Sequence, residues 1–147
     1  MPSRRISAAA IVATVLLAGV ASADSPNSGK SFKIDLTGGA ERPGPGDPDG
    51  SGTARVNVHH SKNRICYTLT VADIAPATAS HIHRGSRDVP GPPVVTLTAP
   101  TNGSSSGCVE NINRELVRDI HQNPEDYYVN VHNLEFRPGA VRGQLDD

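Results

Sequence analysis

Short runs of alternating apolar and polar residues, interrupted by Gly, Pro, Asn and Asp, most limit the folds open to this chain. Phe32, Ile34 and Leu36 alternate with Lys33 and Asp35, the period of two that sends successive side chains to opposite faces of a strand. The pattern predicts a second strand over 53–59, with Val56 and Val58 on one face. A third covers 64–72, with Ile65, Tyr67, Leu69 and Val71 inward, after a short turn at Ser61, Lys62 and Asn63. Further extended segments fall at 80–83, 94–97, 108–109, 127–132 and 140–145. Residues 38–52 are crowded with Gly, Pro and Asp, which suit turns and not strand interiors, so a long exposed loop is expected there. One helix is predicted, over 113–122: Asn113 can cap it, Leu116, Val117 and Ile120 supply its apolar face, and Pro124 stops it. Seven or eight short strands and one short helix imply an all-β antiparallel sandwich or partly closed barrel.

The N-terminus has a different character. Arg4 and Arg5 precede an apolar stretch over 8–20, and Ala21-Ser22-Ala23 has the small-x-small form of a cleavage site. These are the three parts of a secretory signal, expected over 1–23. An apolar run of about 13 residues is too short to span a ~30 Å hydrocarbon core, so an uncleaved anchor is the weaker reading. Ser3-Arg4-Arg5 is also compatible with twin-arginine export, although Ser7 stands where a bulky apolar residue is usual. Polar residues 24–30 read as a disordered lead-in and 31–147 as a single β domain. The expected location is outside the cytoplasm, in a periplasm or the cell exterior.

The chain carries 14 Lys and Arg against 15 Asp and Glu. Since the leader takes Arg4 and Arg5, the remainder is net acidic. No basic patch interleaved with aromatics is present, which argues against nucleic acid as a partner. No second apolar run could cross a membrane, so none is expected to hold the chain after cleavage. In an oxidising compartment the two cysteines, Cys66 and Cys108, are most simply a disulfide; two unrelated free thiols are the alternative. Such a crosslink would contribute up to about 4 kcal/mol in the loop-entropy view.

The chemistry-bearing residues are histidines. His81 and His83 flank Ile82 in SHIHRG, and His132 ends YYVNVHN. Residues two apart on a strand share a face, so both imidazoles of the first motif can address one ion while Ile82 enters the core. In the second motif Val129 and Val131 face inward, leaving Tyr128, Asn130 and His132 on the outer face. Three neutral imidazoles suit copper or zinc, with a fourth position for water or another side chain. Partners that fix the ring tautomers are also needed; Asn130 and Arg142 are the leading candidates, with Asn133 and Asp88 also near in sequence. His59 and His60 point to opposite faces beside a turn and are expected in solvent. His121 is expected as a cation at a helix C-terminus. No nucleophile elbow, phosphate loop or carboxylate pair is present, so no catalytic residue is assigned.

Three blocks then carry a family resemblance. They are RICYTLTVADIAPATASHIHRG with GPPVVTL (64–85, 91–97), SGCVENINRELVRDIHQNPEDYYVNVHN (106–133) and FRPGAVRGQL (136–145). In this order and spacing the chain resembles CHRD (chordin-type) domains. The resemblance implies an immunoglobulin-like β-barrel, with distant similarity to copper/zinc superoxide dismutases. On that likeness His81, His83 and His132 match copper-type positions, and Arg142 is similar to an arginine that guides superoxide. The short loop after the HIH block has no histidine, so the zinc site of those enzymes is missing. Three functions compete: a secreted domain binding copper or zinc, an extracellular protein-interaction module with no metal, and a reduced dismutase-like copper enzyme. The interaction module would hold its three imidazoles turned apart.

Overall fold

A computed structural model describes residues 29–146. The expected leader and its cleavage site, and positions 24–28 of the expected lead-in, lie outside the described residues. The domain begins with β1 (Lys30–Thr37), β2 (Ser51–His59), β3 (Arg64–Ala72) and β4 (Ala77–Arg84). It continues through β5 (Pro93–Leu97), β6 (Ser104–Val109), the helix α1 (Arg114–Gln122), β7 (Tyr127–Asn133) and β8 (Val141–Gln144).

All pairings are antiparallel, in the order β5-β4-β7-β8-β1-β2-β3-β6. The sheet curls until its two edges nearly meet. Thr98, just past β5, receives a 2.6 Å hydrogen bond from the Ser105 hydroxyl of β6 and donates its N–H to the Tyr67 hydroxyl at 2.8 Å. This nearly closed barrel leaves little of either edge open to other chains.

The alternating residues fill the barrel. Ile34, Leu36, Val56, Val58, Ile65, Leu69, Ile82, Val129 and Val131 are fully or almost fully buried. At ~25 cal/mol per Å², burying each such side chain is worth about 1.5–3 kcal/mol. Helix α1 forms where expected. The Asn113 carboxamide accepts the N–H groups of Glu115 (2.9 Å) and Leu116 (3.1 Å), and Val117 and Ile120 enter the core. Cys66 and Cys108 stand opposite each other on β3 and β6 with their sulfurs 2.06 Å apart, at disulfide distance.

The loop over 38–52 differs from its expectation. Ser51 and Gly52 belong to β2, and Glu41 and Asp47 are buried. The segment folds back so that the Asp47 N–H reaches the Ala140 carbonyl at 2.9 Å. Two glycines make room for Glu41: a Cβ at 139 would come within 2.3 Å of its carboxylate, and one at 46 within 2.5 Å of its Cγ. Strand β6 is also longer than the alternation implied. Its serines carry no apolar signal, and pairing with β3 alone defines them.

Candidate metal centre

Antiparallel pairing of β4 with β7 sets His81 opposite Asn130, His83 opposite Tyr128 and Ala79 opposite His132. His132 is therefore diagonal to His81, within reach of a side chain as long as imidazole. A bulge between Ala77 and Ala79 shifts the register beside that corner, and a second irregularity sets His83 opposite Pro93 on β5. Bulges of this kind re-aim side chains next to sites.

The result is one cluster. The rings of His81, His83 and His132 have centroids 5.1–5.5 Å apart. One nitrogen from each lies within 4.8 Å of the other two. His81 Nδ1 is 3.2 Å from His132 Nε2. In a tetrahedral site with metal–nitrogen distances of about 2.0–2.1 Å, neighbouring nitrogens sit about 3.3 Å apart, so small side-chain adjustments suffice.

Backbone carbonyls select the tautomers. His83 Nδ1 is 2.8 Å from the Gly91 carbonyl and His132 Nδ1 is 3.0 Å from that of Arg137. A carbonyl can only accept, so both Nδ1 atoms carry the proton and both Nε2 atoms present lone pairs. His83 Nε2 is buried and has no hydrogen-bond partner. That is the orphan atom a metal would satisfy.

All three rings favour the neutral form. Burial brings His132 down to about 4, helped by the charges of His81 and His83 and opposed by the Arg137 carbonyl. Burial also lowers His83, with further lowering by His81 and Arg142, and burial alone lowers His81. Neutral imidazole is the form that ligates. The cluster opens on a cavity of about 340 Å³, whose walls include Ala79, Pro93, Leu134 and Arg137, so a fourth ligand has room to enter.

The model of the CHRD domain family matches residues 32–145. The chain belongs to the CHRD domain family. No curated protein and no solved structure matches it. In this CHRD domain the match spans β1 from Phe32 onward, every later strand, the helix and all three clustered histidines. Family membership and the cysteine pair fit an extracellular protein. Among the described residues no helix is long and apolar enough to cross a membrane.

The other residues picked out from the CHRD sequence fall elsewhere. Asn130 donates to Glu41 Oε2 at 3.2 Å and to no imidazole. Arg142 donates to the carbonyls of Ser86 (2.8 Å) and Val89 (3.3 Å), and lies 3.4 Å over the Tyr128 ring. Tyr128 in turn stacks on His83, so Arg142 touches the cluster only through that ring. Only 1% exposed and engaged by the loop, it is not placed to guide a small anion, and the likeness to a dismutase arginine ends there. Asp88 pairs with Arg42 in solvent. Asn133 accepts the Phe136 N–H at 2.7 Å, bracing the turn that carries Arg137.

Two other expectations change as well. His59 and His60 are half-buried, and the His60 ring meets that of His121 with centroids 4.5 Å apart. Burial, His60 and Lys30 all lower the His121 pKa, which opposes the cationic role read from its helix position.

Proposed function

We propose that this CHRD domain is exported by a cleaved signal over 1–23 and binds one copper or zinc ion through His81, His83 and His132. The observation that carries the reading is the convergence of the three rings, with the Nε2 atoms of His83 and His132 freed by carbonyl bonds on the far side of each ring. In an interaction module without metal the rings have no reason to converge. Nor would burial of an unpartnered His83 Nε2 be expected, because such an atom costs about 1–3 kcal/mol. Nitrogen-only ligation with an open position suits copper and zinc better than the oxygen-seeking cations.

The test is metal uptake by purified protein lacking residues 1–23, measured by elemental analysis after dialysis and by calorimetry. About one ion per chain is expected. His81→Ala combined with His83→Ala should lose at least about 100-fold in affinity, the scale on which even outer-shell losses are felt, while keeping the β-sheet circular dichroism of the parent. Equal uptake by a folded double variant would remove the proposal.

A further inference from the structure

A second constellation lies on the opposite side of the sheet order from the metal-type cluster, where the β2–β3 turn meets α1. The turn holds His60, Ser61 and Lys62, and Asn63 ends it in a left-handed conformation (φ 50°). The Ile112 N–H bonds the Asn63 carbonyl at 3.0 Å, which fixes the turn beside the start of the helix. Between them is a pocket of about 340 Å³ lined by His60, Ser61, Asn63, Arg114 and Arg118.

The charges around this pocket point one way. Arg114 and Arg118 are four apart on α1 and so share a face; Val117 and Ile120 take the buried face. Among the described residues neither arginine has an ion-pair partner. Glu115, their neighbour on the helix, forms no ion pair with either. Nearby Glu110 is already held by Arg64 at 3.5 Å. Lys30 and the His60 ring both bear on His121 and lower its pKa.

His60 and His121 alone would be a fragment of a cation site, but a cation would enter against Arg114, Arg118 and Lys30. An anion would be drawn in by all three. One further group lacks a partner: His60 Nδ1 is shielded from solvent and makes no hydrogen bond. Guanidinium groups in a pair present planar forks that match tetrahedral oxyanions.

We propose that this pocket binds a tetrahedral oxyanion, sulfate or phosphate, through Arg114 and Arg118, with His60 and Asn63 completing the hydrogen bonds. The ion can arrive free or as an ester on a sugar, and the two sources share this recognition chemistry.

The experiment is a proton–nitrogen NMR titration of the leaderless protein at fixed ionic strength, replacing sodium chloride by sodium sulfate or sodium phosphate. Saturable shifts confined to 60–63 and 112–118 are expected. Arg114→Gln with Arg118→Gln should weaken binding about tenfold or more, as loss of charge-assisted hydrogen bonds does, with the rest of the spectrum unchanged. Both positions are exposed, so this variant keeps the fold; His60→Gln serves as a second variant and should weaken binding, its own spectral changes confined to the turn and to the end of the helix at His121, which the His60 ring contacts. Shifts linear in salt, or an unchanged titration in the arginine variant, would overturn the proposal. A sulfated disaccharide that binds more tightly than sulfate, when its unsulfated form does not bind, identifies the ester as the source. Equal affinity for the two identifies the free ion.

Discussion

The outer face of this barrel differs between its two halves. Over β1, β2 and β3 the outward side chains, such as Lys33, Asp35, Arg55 and Thr68, stand in water. Over β7 and β8 the outward side chains Tyr128, Asn130, Arg142 and Gln144 are buried. Two loops cover them, one carrying Glu41 and the other spanning 85–92, where Gln144 holds the Gly85 carbonyl at 2.8 Å. The first half needs only an apolar interior. The second has a polar layer over that interior, and the three-histidine cluster sits beside it.

Arg142→Leu should show the contrast most strongly. It leaves the Val89 carbonyl without its donor, leaves the Ser86 carbonyl with the Val89 N–H alone, and uncovers Tyr128. Hydrogen bonds to charged groups are worth about 1.5–3 kcal/mol each, so a loss of about 3 kcal/mol or more is expected in urea denaturation. A loss under about 1 kcal/mol would mean that the covered half is held by its apolar side alone.

Glu41→Gln should act in the opposite direction, with a pH signature. Burial raises the Glu41 carboxyl from 4.5 to about 7, against the lowering influence of Arg142 and Asn130. Between those pH values the folded chain binds the proton more tightly than the unfolded chain, so this group's contribution to stability falls as pH rises through the window. The penalty is complete above about pH 7, at most about 3 kcal/mol, and absent below pH 4.5. The variant should therefore be more stable than wild type at pH 8 and equal to it at pH 4. A gain of the same size at both values would show that the effect is not the ionisation of Glu41. Thr68→Ala, on the exposed half, sets the floor: a change within about 0.5 kcal/mol, and unaltered metal uptake.

The same contrast explains what the sequence disclosed. In the exposed half alternation maps directly onto inside and outside, so 53–59 and 64–72 were legible as strands to within a residue or two. His81, His83 and His132 were legible as a set because spacing of two on a strand determines the face. Covered regions are harder, because their burial comes from distant chain. Nothing local to Glu41 announces that Gly139 will make room for it, and a turn-rich composition describes 38–52 equally well whether it is solvated or packed. The carbonyls that orient His83 and His132 carry no residue signature at all. The nearest available signal was Gly91, where a Cβ would lie 1.6 Å from the Arg84 carbonyl, so the loop approaches the strand too closely for any other residue.

The pairing of Cys66 with Cys108 also divides the chain in a way the sheet does not. It closes a covalent ring with a sequence separation of 42. That ring contains β4 and β5, and with them His81 and His83, while His132 lies beyond it on β7. Two of the clustered imidazoles therefore travel on a macrocycle and the third on a free linear segment. Reduction would open the macrocycle at the seam farthest along the sheet from β7, without altering any bond to an imidazole. The redox state of the cysteines thus governs how widely the unfolded chain can roam, and the histidine geometry of the folded domain is set separately from it.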